Sequence, residues 1–252
     1  MKMSSHQTRW ALGLTAIIVV IAAWISVRFV EFYQANTLYD AVRSGPSGER
    51  MLAVERLAAH SGEYPTELLL HLALDERPIA DIRVRVASVA ALAKRNQVQF
   101  SGPLASLMVP HNALRLRQSV VSALQNMSCS DECVDRVLEY LYRIRAGDGN
   151  SEDFYQFPAP PSEDFAAEEQ QINKKLEEVL IREKAETLRA LREVYGFGSD
   201  TPSPFAIHML GQFHFKEACE SLTRIHIEAV RDSATRTELE KTPNELGCPI
   251  RS

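Results

Sequence analysis

The sequence predicts an all-helical protein in which a single N-terminal transmembrane helix precedes an array of helical repeats. Three observations carry this expectation. Eighteen consecutive uncharged residues run from Trp10 to Val27. From residue 37 onward apolar positions recur at three- and four-residue steps, with no strict alternation and no Val/Ile/Thr-rich run bounded by turn residues. Related segments also return at offsets of 32 and 35 residues. The composition agrees: 252 residues with 45% hydrophobic, 24% charged, 11 Gly and 12 Pro exclude a disordered or collagen-like chain. A net charge of −5 offers no basic field for a nucleic-acid backbone. That average hides an asymmetry, because residues 1 to 30 hold Lys2, Arg9 and Arg28 and no acid, leaving 25 basic against 33 acidic groups in the remainder.

After a short tail over residues 1–9, the transmembrane helix is placed at 10–33. The uncharged run reaches roughly 27 Å at 1.5 Å per residue, about the thickness of a bilayer core. Phe29, Val30, Phe32 and Tyr33 lengthen it, Trp10 and Trp24 suit the two interfaces, and Arg28 can snorkel to the headgroups. A cleaved signal peptide is the competing reading. It would be shorter and end in small residues, whereas this run leads into Arg28-Phe29-Val30-Glu31-Phe32-Tyr33, so an uncleaved anchor is expected. Positive residues on its two sides nearly balance, favouring an inside N-terminus only slightly. Ala11, Thr15, Ile18, Ala22 and Ser26 fall on one stripe at 4-3-4-4 spacing, mostly small residues of the kind that let membrane helices approach closely.

The repeats follow over residues 37–145. Arg83 to Leu92 (RVRVASVAAL) aligns with Arg115 to Leu124 (RLRQSVVSAL), and each is followed by a polar turn and a second apolar segment, Pro103 to Val109 and Asp131 to Arg145. Met51 to Leu57 repeats the pattern upstream, with Pro65 to Leu74 behind it. Pro204 to Gly211, with Lys216 to Leu222, forms a fourth copy. The runs RVRVASVAALAK, LRLRQSVVSALQN and FAIHMLGQFHFKEACESL resemble the HEAT-type α-solenoid repeat, including the short bacterial variant found in phycobilin lyases. The resemblance covers roughly 37–145 and 203–230, and it implies stacked helix pairs serving as a binding platform.

Two stretches depart from the period. Residues 146–165 (AGDGNSEDFYQFPAPPSEDF) cannot continue a helix. Phe154, Tyr155 and Phe157 within this loop either dock a partner or pin the loop to its own domain. Glu163 to Tyr195 reads as one long helix, with Ile172, Leu176, Val179, Leu180, Leu188, Leu191 and Val194 on an apolar stripe ended by Gly196 and Gly198. The domain assignment closes with this helix and the last repeat over 166–231 and a C-terminal tail over 232–252.

Residues capable of chemistry are few. Cys129, Cys133, Cys219 and Cys248 are even in number and allow two disulfides, Cys129 with Cys133 at a turn and Cys219 with Cys248 clipping down the tail; four free thiols in a cytoplasmic protein is the alternative. His208, His214 and His226 near Cys219 lack a carboxylate partner in a zinc-protease spacing and read as ordinary histidines. Arg83, Arg85, Arg115 and Arg117 form a repeated basic edge, expected to pair with acids of a neighbouring repeat. No nucleophile elbow, phosphate loop, Cys-x2-Cys pair or haem-attachment motif occurs. No cofactor, metal or small-molecule substrate is therefore expected.

Together these features describe a non-catalytic, membrane-anchored accessory or assembly subunit of a larger membrane protein complex, of an energy-transducing, secretion or envelope type. Its partners would be that complex and the lipid bilayer. The inner membrane of a bacterium, with the C-terminal domain extracytoplasmic, is the expected location. A tethered receptor for peptides or proteins is the alternative, and a bilin lyase-like enzyme follows only from the resemblance.

Overall fold

The computed structural model describes residues 5–77, 81–109, 112–146, 163–197, 202–225 and 230–248. Every regular element among these residues is helical, and the chain divides into two compact units, Met1–Leu92 and Ala93–Ser252.

In the first unit α1 spans Ser5–Ser44 without interruption, so the apolar segment and the start of the globular part are one helix of 40 residues, roughly 60 Å long. Helix α2 (Ser47–Ala59) begins directly after Pro46, and α3 (Glu63–Ala73) follows Gly62, whose φ of 122° lies where a side chain would be strained. Both are amphipathic. They bury Ala53, Val54 and Leu57 on one and Leu68, Leu69 and Leu72 on the other, and both pack against the C-terminal half of α1. The α1 contribution is a seam at Glu31, Ala35, Leu38 and Val42, a helical 4-3-4 period in which Ala35 and Val42 are fully buried. Helix α4 (Ile82–Arg95) starts where the Asp81 carboxylate accepts the Arg83 backbone N–H at 2.9 Å.

In the second unit a 3-10 turn at Val98–Phe100 leads into the short α5 (Ser101–Ala105), followed by α6 (Leu114–Asn126) and α7 (Asp131–Ala146). Glycine matters at the contact of α5 with α7, since a Cβ on Gly102 would stand 2.7 Å from the Glu132 carboxylate. Where the sequence predicts one long helix over Glu163 to Tyr195, the chain forms α8 (Glu163–Arg182) and α9 (Lys184–Glu193), broken at Glu183. The break redirects the apolar stripe. Helix α8 buries Ile172, Leu176, Val179 and Leu180 and packs on α6, whereas α9 buries Ala190 and Leu191 and packs on α7. The Arg182 guanidinium holds the corner by donating to the carbonyls of Leu124, Gln125 and Met127 at 3.0, 2.6 and 2.5 Å. Val194, placed on that stripe by the sequence, is 60% exposed.

Helix α10 (Pro204–Gln212), a 3-10 turn at Lys216–Ala218 and α11 (Cys219–Arg224) occupy the predicted fourth copy. Beyond them the segment read as a tail forms α12 (Ser233–Leu246). Asp232 caps it by accepting from the Thr235 N–H at 2.6 Å, and Gly247 ends it in the left-handed conformation. Its buried face is Thr235, Leu239, Thr242 and Leu246, and it packs on α10, where a Cβ on Gly211 would approach Thr242 to 3.0 Å.

Candidate membrane and partner-binding surfaces

The apolar half of α1 is the one candidate membrane span among the described residues, long and apolar enough to cross a bilayer. No residue from Ile17 to Val30 is buried, and the large apolar side chains of this stretch are 51% to 68% exposed. A helix that packed on a water-soluble core would hide one side; this one is apolar all round and covered on none. Its polar Ser26 is satisfied within the helix by donating to the Ala22 carbonyl at 2.8 Å, as a lipid environment demands. Of the predicted packing stripe, Thr15, Ile18, Ala22 and Ser26 are exposed, so no part of the described chain covers them. The side chain of Ala11 lies outside the described residues, as do Phe154, Tyr155 and Phe157 of the Pro-rich loop.

Below Val30 the helix changes environment within one turn. Arg28, Phe32 and Asn36 line up at four-residue spacing toward the α2–α3 turn. Arg28 lies over the Trp24 ring, 5.7 Å from its centroid, and pairs with Glu31 at 3.2 Å. The Phe32 and Tyr64 rings stack with centroids 4.5 Å apart, and the Tyr64 hydroxyl donates to Asn36 Oδ1 at 2.7 Å. A Cβ on Gly62 would stand 4.0 Å from the Arg28 guanidinium. The contacts of the globular unit therefore begin at Arg28, directly after the uncharged segment, with no linker between them. On the side of α1 facing α2, an open groove of about 520 Å³ is lined by Tyr33, Thr37, Leu38, Arg56, Ala59 and His60.

The repeated arginines separate into two kinds. Arg83 and Arg115 are exposed, and Arg83 pairs with Asp81 at the start of its own helix. Arg85 and Arg117 are buried, and their Nε groups donate to backbone carbonyls, Ala73 O at 3.0 Å and Asn112 O at 3.2 Å. Arg117 meets an acid from another helix: its Nη1 donates to Glu169 at 2.5 and 2.7 Å and to the Tyr140 hydroxyl at 2.9 Å. The Tyr140 hydroxyl also donates to Glu169, and burial pushes its pKa far above the ordinary tyrosine value. This triad ties α6, α7 and α8 together. It is neutral overall with Tyr140 protonated and reads as a structural joint.

All four cysteines stand in two pairs at bonding distance, Cys129 with Cys133 and Cys219 with Cys248, each with Cα atoms 5.3 Å apart. Ser130 arranges the first pair. Its hydroxyl accepts the Cys133 N–H and caps α7, so Cys129 is still in the turn while Cys133 is in the first helical turn. The second pair joins α11 to the end of α12. Of the histidines, His208 faces Glu238 at 3.3 Å, His214 is exposed at a φ of 54°, and His226 lies outside the described residues. Among the described residues no cluster of His, Cys, Asp and Glu could hold a metal ion.

One surface escaped the sequence reading. Tyr142, Tyr195 and Phe205 form an aromatic cluster with centroids 5.1 to 5.6 Å apart, joining α7, the end of α9 and α10. Its edge is open at Tyr142, beside the exposed Val194. The three residues are distant in sequence and share no period, so only the packing of their helices brings them together. No protein family, no curated protein and no solved structure matches the chain.

Proposed function

We propose that this protein is a non-catalytic, membrane-anchored scaffold, an accessory or assembly subunit that binds a larger membrane protein complex. The observation that carries the proposal is α1 itself, a single helix exposed and apolar from Ile17 to Val30 and seated in the core from Ala35 onward. A helix continuous through the interface couples the two environments rigidly, so that a partner gripping the Thr15, Ile18, Ala22 and Ser26 stripe also orients the globular part. In this proposal the helical array is a HEAT-like solenoid offering its surface to a partner's soluble portion. Two features support that arrangement: helices two apart in sequence pack together (α5 with α7, α6 with α8, α7 with α9), and Arg85 and Arg117, 32 residues apart, play matching buried roles. The pairing of all four cysteines supports placing the array outside the cytoplasm.

The test is extraction of the tagged full chain in mild detergent, followed by native electrophoresis and mass identification. A complex subunit comigrates with stoichiometric membrane partners, and Ala22→Leu together with Ser26→Leu releases it. Migration as a lone chain overturns the assembly role and leaves a tethered receptor.

A further inference from the structure

We propose that the groove between α1 and α2, lined by Tyr33, Leu38, Arg56, Ala59 and His60, binds an anionic phospholipid of the leaflet next to the globular unit. This rests on the membrane placement of α1 proposed above. Depth is the first argument. The uncharged segment ends at Val27, and Tyr33 lies roughly 9 Å further along the helix, at the outer edge of the layer of headgroups that extends about 5–8 Å beyond each face of the hydrocarbon core. His60 lies at the same level, since it lines one groove with Tyr33.

Chemistry is the second argument. The groove is apolar along Tyr33, Leu38 and Ala59, Gln34 and Thr37 line it from α1, and its remaining polar wall carries Arg56 in the last turn of α2 and His60 at the C-cap of that helix. No carboxylate lines it, and the nearby Glu31 is engaged by Arg28. A phosphodiester complements this pair of nitrogen donors, with Arg56 able to bind it through two parallel N–H groups. Continuity is the third argument. Tyr33, 66% exposed, lies one helical turn from Phe29 and Val30 on the same side of α1, so acyl chains beneath a bound phosphate run down the exposed apolar face that these two residues begin. A soluble anion would engage the Arg56 and His60 wall but leave the apolar wall wet, which is why a lipid is the occupant.

The experiment reconstitutes the full chain in vesicles of equal parts phosphatidylglycerol and phosphatidylcholine. Alkaline extraction and flotation first establish whether the chain is embedded. Native mass spectrometry of the detergent-released protein then counts the lipids it retains. Embedded wild type is expected to retain phosphatidylglycerol several-fold over phosphatidylcholine, Arg56→Ala to bring the two to parity, and Arg136→Ala, an exposed arginine of α7 that does not line the groove, to behave as wild type. In Tyr33→Trp protein, fluorescence should be quenched more strongly by phosphatidylglycerol brominated in its acyl chains than by the brominated phosphatidylcholine. Equal retention by embedded wild type, or undiminished selectivity in Arg56→Ala, overturns the groove site and leaves the membrane anchor standing. A chain that does not float overturns both.

Discussion

Arg117 holds its charge at 2% exposure because three partners converge on it: the Asn112 carbonyl, the Tyr140 hydroxyl and the Glu169 carboxylate. Removing one side of such a joint strands the other, so Arg117→Ala is expected to destabilise the second unit by about 3–5 kcal/mol. Tyr140→Phe should cost only about 1 kcal/mol. Chemical denaturation of both variants checks the ratio, and equal losses would show that the hydroxyl, not the ion pair, governs the joint. The Cys219–Cys248 bond closes a separation of 29 residues. The Cys219→Ser/Cys248→Ser pair should therefore lose about 3 kcal/mol under oxidising conditions and little once reductant is added. Asp232 has a sharper signature. Hydrogen bonds from the Thr235 side chain and backbone hold its carboxyl below the ordinary aspartate range. A depressed carboxylate stabilises the fold fully above its unfolded value, near ~4, and loses that contribution as pH falls through the folded value. Wild-type α12 should thus fray on acidification in that window, whereas Asp232→Asn should be flat across it, as followed by amide exchange of Thr235 and Arg236.

Among the elements, α1 and the α8–α9 corner set the geometry. One residue inserted between Val30 and Glu31 turns the membrane face by roughly 100° against the seam of Ala35, Leu38 and Val42, whereas seven residues restore it to within ~20°. If partners are held through both faces, the single insertion should abolish comigration and the heptad should recover it in part; equal behaviour of the two would mean that α1 is only a tether. At the corner, Arg182 satisfies three carbonyls at the end of α6. Arg182→Ala should lower stability by about 2 kcal/mol, and Arg182→Lys should recover little of it, since an ammonium cannot reproduce the planar fork. Thermal melts of the three proteins decide this.

For the whole molecule, the pairing of all four cysteines predicts a compartment as well as a fold. Denatured, unreduced protein from intact cells should take up no thiol reagent, and labelling of four thiols would return the array to the cytoplasm. The helical class, the long apolar N-terminal helix and the helical segments up to α7 were legible because periodic apolar residues and an unbroken uncharged run are local signals. Helix α12 was missed although Thr235, Leu239, Thr242 and Leu246 keep a 4-3-4 period, because two of the four carry hydroxyls and dilute the apolar pattern. The break at Glu183 was invisible, since both sides of it are good helix formers and the corner is imposed by the carbonyls of α6 on Arg182. The sequence by itself determined what depends on neighbours along the chain: helicity, an N-terminal segment long and apolar enough to cross a membrane, and the even set of cysteines. Tertiary structure alone decided which arginine is buried in an ion pair, that the chain turns a corner at Glu183, and that α1 enters the core without a linker. Those outcomes depend on groups far apart in the chain, and no local pattern encodes the distances between them.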